Sequence, residues 1–113
     1  MKNVSTRAAL GSAWLVSVSA ALFSVNAQAF TADDVAAGQA VYNRTCVHCH
    51  GRNMVNSGTT VYDLRRFPQD DKPRFLESVN NGKGNMPSWK GRLKDEEIEA
   101  LWAYVATRGG KDL

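Results

Sequence analysis

The stretch Cys46-Val47-His48-Cys49-His50 holds both cysteines and both histidines of a chain of 113 residues. Every soft metal ligand except methionine sulfur is therefore gathered into five positions. Cys46 and Cys49 are three apart, so on a helical turn they share a face. His50 follows at once. Zinc, a redox dithiol, a disulfide and covalent haem attachment all compete for such a cluster. Zinc lacks a convincing fourth ligand at tetrahedral spacing. A thioredoxin-like dithiol sits on a βαβ framework, whereas C-x-x-C-H is the attachment pattern of c-type haem. In that chemistry two thiols add across two porphyrin vinyl groups, and the adjoining histidine is positioned beside the iron. His48, a spacer, bends back to that position poorly and reads as a surface residue.

Upstream, Lys2 and Arg7 give a positive start, and Ala8 to Val25 is free of charge and mostly apolar. Ala27-Gln28-Ala29 is a small-residue cleavage pattern. That order predicts a cleaved secretory signal peptide over residues 1–29 and one domain over 30–113. The competing reading is a retained membrane anchor. The run is 18 residues long, near the lower limit for a span, and is diluted by Gly11, Ser12, Ser17 and Ser19. Removal of Lys2 and Arg7 leaves 12 basic against 11 acidic residues. No basic stripe favours nucleic acid, and Arg65-Arg66 is an isolated pair.

A mature chain of 84 residues buries only about 60% of its unfolded surface. A core of that size calls for a staple, a metal or a cofactor. A disulfide alone leaves this deficit largely unmet.

Three helical stretches are expected. The first follows Thr31 as N-cap, carries Asp33 and Asp34 in its first turn, and runs toward Cys46. Val35, Gln39 and Tyr42 lie at helical spacing, with Gly38 and Val41 on an adjoining strip. The second is Lys72 to Asn80, with Pro73 in its first turn, Phe75, Leu76 and Val79 as its apolar face, and Gly82 as its stop. The third is Asp95 to Thr107, with Ile98, Leu101, Trp102 and Val105 at i, i+3, i+4 and i+7 and Tyr104 beside them. Arg108, Gly109 and Gly110 close it. Gly51 to Pro68 reads as loop. The fold class is all-α: three or more short helices and loops around a covalently bound haem.

A haem iron takes a second axial ligand, and His and Met are the strong choices. No second histidine is free. Met54 is too close to His50 in sequence to cross to the other face. Met86, in Gly84-Asn85-Met86-Pro87, lies in a loop where glycine permits close approach and proline stiffens the turn. The candidate site is Cys46 and Cys49 for covalent attachment of one haem c, with His50 and Met86 as axial ligands of the iron.

Gly38-x-x-x-Tyr42-x-x-x-Cys46-Val47-His48-Cys49-His50-Gly51, then Met86-Pro87, then Ile98-x-x-Leu101-x-x-Tyr104-Val105, resembles a small class I cytochrome c over essentially all of residues 30–113. The resemblance implies that the first and last helices cross in close contact, with Gly38 and Tyr42 against Leu101 and Tyr104. Two positions depart from it. Family members usually carry Gly-Pro-x-Leu after the haem motif, the proline carbonyl accepting from the ligand imidazole. Here the stretch is Val61-Tyr62-Asp63-Leu64. Many relatives also cap the last helix with Ser, where this chain has Lys94, so Asp95 is expected to cap instead. Asp63-Leu64-Arg65 and Met86-Pro87-Ser88-Trp89 look like haem domains that accept electrons from quinoprotein (PQQ) alcohol dehydrogenases.

The function these features imply is a monomeric periplasmic electron carrier, not an enzyme. It would pass electrons from a dehydrogenase toward an oxidase or another cytochrome. Lys83, Lys90, Arg92 and Lys94 flank the Met86 loop and are suited to an acidic partner. No membrane contact is expected unless the leader is retained. The alternative is a haem enzyme or gas sensor with an open sixth position, for which the chain offers no distal His–Arg pair.

Overall fold

Thr31 accepts the Asp34 N–H at 3.2 Å on its hydroxyl, and the Asp34 carboxylate accepts the Thr31 N–H at 2.8 Å. This reciprocal cap starts α1, Ala32–Arg44, and holds the Asp34 carboxyl below its usual pKa. The structure is a computed structural model that describes residues 9–12, 29–56, 58 and 60–113. The expected leader lies almost wholly outside the described residues. After α1 come the single turn α2, Val47–His50, then α3, Lys72–Asn81, and α4, Asp95–Ala106. Two three-residue 3-10 turns, Arg52–Met54 and Leu64–Arg66, interrupt the stretch expected to be loop. Among the described residues there is no strand, only isolated bridges between Lys83 and Met86 and between Lys90 and Leu93. The chain is all-α.

The inner face of α1 is Val35, Gly38, Val41 and Tyr42. Gln39, expected on that face, is exposed. A 3.6-residue repeat places Val35, Gly38 and Tyr42 on one stripe, and burial of the small glycine pushes Gln39 outward. A Cβ added to Gly38 would lie 1.9 Å from the Ala100 carbonyl oxygen and 2.8 Å from Tyr104 Cβ. The two helices therefore touch backbone to backbone. The Tyr42 and Tyr104 rings continue the contact, with centroids 5.1 Å apart.

From Leu101 to Thr107, α4 is buried on every side. One face meets α1. The other carries Trp102 into an aromatic group with Phe75 of α3, at 5.2 Å, and Phe67, at 6.1 Å. Tilted and edge-on rings at such spacings add to their area burial. Phe75 and Val79 are the buried residues of α3, while Leu76 stays half-exposed.

Lys94, not Asp95, occupies the N-cap of α4, and Asp95 is the first helical residue. A lysine side chain has no acceptor. Only the return half of a capping box is possible, and the Glu97 carboxylate accepts the Lys94 N–H at 2.9 Å. That bond first, and Arg44 after it, hold the Glu97 carboxyl below its usual pKa. At the other end Arg108, Gly109 and Gly110 all have positive φ, and Gly109 N–H closes on the Tyr104 carbonyl at 2.8 Å.

Candidate haem site

The end of α1 leads directly into the cysteine turn. Thr45 donates its hydroxyl to the Val41 carbonyl at 2.7 Å and lies 3.3 Å from Cys46 Sγ. The α2 turn closes through His50 N–H to the Cys46 carbonyl and Gly51 N–H to the Val47 carbonyl, both at 2.9 Å. Gly51 follows with φ +82, and a Cβ there would stand 1.9 Å from the Val55 carbonyl oxygen. No other residue type fits that exit. Tyr42 reaches from the core of α1 to donate its hydroxyl to the Gly51 carbonyl at 2.6 Å. The motif is thus tied to the α1–α4 crossing, a link that the bare pattern Tyr42-x-x-x-Cys46 does not reveal.

Cys46 and Cys49 are unlinked thiols one turn apart, Cys46 half-buried and Cys49 exposed. Burial pushes the Cys46 thiol pKa up, the Thr45 hydroxyl opposes this, and Cys49 adds to it. Among the described residues no group of three or more His, Cys, Asp or Glu side chains is placed to hold a metal ion. A tetrahedral site built on Cys46, Cys49 and His50 therefore has no support. His48 is exposed, as a spacer should be.

His50 Nδ1 lies 3.1 Å from the Tyr62 carbonyl oxygen. A carbonyl only accepts, so this contact selects the tautomer protonated on Nδ1 and leaves a lone pair on Nε2. Burial holds the imidazole pKa below its ordinary value, with the Tyr62 carbonyl pulling the other way. The ring is neutral near pH 7, the form that binds a metal. The tyrosine at the usual proline position thus supplies the same acceptor.

Met86 sits apart from this turn in sequence, in a tight loop. Its N–H donates to the Lys83 carbonyl at 3.0 Å, and its carbonyl accepts the Lys83 N–H at 3.1 Å. Trp89 N–H to the Val79 carbonyl, at 2.9 Å, pins the loop to α3. Cys46, Val47, Leu64, Leu76, Met86 and Trp89 are partly buried and pack against the core from its margin. Met54 instead is a core residue, 2% exposed, on a backbone of φ +62.

These residues fit a covalent haem. Two free thiols share one helical turn, a neutral imidazole keeps one nitrogen unprotonated, and a half-wet apolar margin has surface left to bury.

The family described as cytochrome C oxidase, cbb3-type, subunit III matches residues 33–105. The chain belongs to the cytochrome c family. It is 33% identical over 102 residues to a cytochrome c6 of Nostoc sp., covering 87% of this chain and 91% of the relative. It is 37% identical over 82 residues to a cytochrome c6 of Leptolyngbya boryana, 69% and 96% of the two chains. It is also 34% identical over 99 residues to the cbb3-type cytochrome c oxidase subunit CcoP of Azospirillum sp., covering 79% of this chain but 33% of that one. No solved structure matches the chain significantly. This c-type cytochrome is a small electron carrier rather than an enzyme, and its family binds one covalent haem c. No described helix is long and apolar enough to cross a membrane.

Proposed function

We propose that this cytochrome is a periplasmic one-electron carrier whose haem is attached at Cys46 and Cys49 and held axially by His50 and Met86. The observation that carries the reading is the His50 Nδ1 to Tyr62 carbonyl contact of 3.1 Å. It orients the imidazole, fixes its tautomer and reserves Nε2, while burial keeps the ring neutral. The haem, when bound, supplies a reversible ferric–ferrous couple.

The chain's own residues govern that couple in three ways. The Tyr62 carbonyl increases the basicity of the ligand imidazole. A thioether from Met86 raises the reduction potential relative to a harder ligand. Half-buried Leu76 and Trp89, with buried Phe75, Ile98 and Leu101 behind them, exclude water and disfavour the extra charge of the ferric state.

Electrons are taken from a periplasmic dehydrogenase and passed toward a terminal oxidase. The likeness of Asp63-Leu64-Arg65 and Met86-Pro87-Ser88-Trp89 to acceptors of quinoprotein alcohol dehydrogenases supports that class of donor. The similarity to an oxidase subunit supports that class of acceptor. Lys83, Lys90, Arg92 and Lys94 are exposed, and the segment from Gly82 to Lys94 contains no acid. Such a surface speeds encounter with an acidic partner. The residues 1–29 act as the export signal and are removed.

The deciding experiment is the visible spectrum of protein expressed with export and cytochrome maturation, oxidised and reduced, together with its intact mass. A low-spin c-type spectrum, a thioether charge-transfer band in the oxidised form, and a mass of residues 30–113 plus one haem are expected. A colourless product with the mass of polypeptide alone rejects the proposal.

A further inference from the structure

Tyr62 raises a physical question. Where relatives place a proline, φ is set covalently by the ring, but a tyrosine leaves φ free. The direction of its carbonyl, and with it the bond to His50, needs another restraint. The side chain provides one. The Tyr62 hydroxyl donates to the Arg66 carbonyl at 3.2 Å. Its ring stands edge-on to Phe67, centroids 6.1 Å apart at 77°. The Arg74 guanidinium of α3 covers both rings, 5.5 Å from the Tyr62 centroid and 5.0 Å from that of Phe67.

Arg74 forms no ion pair among the described residues. Asp63 is taken by Arg65 and Arg66, and Asp71 by capping α3. The guanidinium is thus left to the aromatic faces, where a cation is attracted by the ring quadrupole. Phe67 carries the restraint inward, edge-on to Phe75 at 6.0 Å and to Trp102 at 6.1 Å. On either side of Tyr62 the backbone is also tied. Asn56 donates to the Val61 carbonyl at 2.6 Å, and Asp63 accepts the Arg65 N–H at 3.0 Å. Tyr62 is 46% exposed, so these contacts, rather than burial, hold its ring in place.

We propose that Arg74 and the Tyr62 ring form a clamp that aims the Tyr62 carbonyl at His50 Nδ1 and thereby sets the reduction potential of this cytochrome. The clamp rests on the assignment of His50 as iron ligand given above. Arg74 and Tyr62 are positioning residues acting through His50. A well-aligned acceptor on Nδ1–H makes the imidazole more basic and favours the ferric state. Loosening the clamp therefore raises the potential.

The test uses holoprotein carrying Arg74→Gln, Arg74→Lys, Tyr62→Ala or Tyr62→Pro. The readouts are the reduction potential and the rate at which the His50 Nδ1 proton exchanges with deuterium, followed by NMR. Arg74→Gln is expected to shift the potential upward and speed exchange severalfold, and Tyr62→Ala to do both more strongly. Arg74→Lys keeps a cation and should fall between wild type and Arg74→Gln. Tyr62→Pro restores a covalent restraint and should bring both readouts back toward wild type. A lowered melting temperature with unmoved potential and exchange in Arg74→Gln and Tyr62→Ala would mean a merely structural role and would overturn the clamp. If the wild-type oxidised protein lacks hyperfine-shifted His50 ring resonances, the ligand assignment itself fails, and the clamp with it.

Discussion

Gly38 of α1 and Ala100 of α4 leave no room between them: a Cβ on the glycine would meet the alanine carbonyl oxygen at 1.9 Å. The contact is with backbone, so no side-chain rotation relieves it. Because Tyr42, one turn on, also ties the haem motif through Gly51, the crossing positions the site as well as the core.

Gly38→Ala should therefore destabilise the protein despite the better helix propensity of alanine, worth about 1 kcal/mol. Forcing α1 from α4 is expected to cost roughly 1–3 kcal/mol beyond that gain, the range for overpacked cores. Chemical denaturation of the holoprotein measures it. Unchanged or increased stability would show that the crossing is looser than described.

Met86→Ala should lower the reduction potential, on the order of 0.2 V within the roughly 0.8 V that axial ligands span. It should also bind cyanide or carbon monoxide more readily than the wild type does. Spectroelectrochemistry and ligand titration report both effects. An unchanged potential would remove Met86 from the ligand set.

Cys46→Ser and Cys49→Ser should each leave a single thioether, with a shifted reduced α-band and weakened haem retention. The double variant should release all haem into acidified organic solvent. Retention of haem by the double variant would refute attachment at these sulfurs.

Tyr42→Phe removes the hydroxyl bonded to the Gly51 carbonyl and should cost about 1 kcal/mol near neutral pH. That carbonyl keeps the Met54 N–H at 3.2 Å, so it is not orphaned. Burial first, with Cys46 and Tyr104 adding, raises the Tyr42 pKa above its ordinary value of 10.0. The unfolded chain then ionises before the folded one. The stabilising contribution is whole below pH 10 and is lost as pH climbs from there toward the folded value. Alkaline unfolding curves of wild type and Tyr42→Phe should converge above pH 10. Curves that stay parallel would mean that Tyr42 titrates normally.

Protein made without haem should lose most of its helical circular dichroism, since Leu64, Leu76, Met86 and Trp89 pack on the core from only one side. A haem-free domain that melts cooperatively at the same temperature as the holoprotein would contradict this.

The helices were legible because their signals are local. Thr31 with Asp34, Pro73 inside the start of α3, and the apolar spacing of Ile98 to Val105 all act within a turn or two, where spacing dictates geometry. The same holds for Cys46, Cys49 and His50, whose chemistry depends on being neighbours in the chain. The acceptor for His50 was not legible in the same way. Every residue has a carbonyl, so the letter at position 62 says nothing about whether its oxygen returns to within 3.1 Å of an imidazole 12 residues earlier. Arg74 above two rings, Met54 in the core on a left-handed backbone, and Gln39 turned outward so that Gly38 can meet Ala100 depend likewise on where distant segments come back together. Such contacts are settled by competition for one small core. They exist only once α1, α3 and α4 have packed.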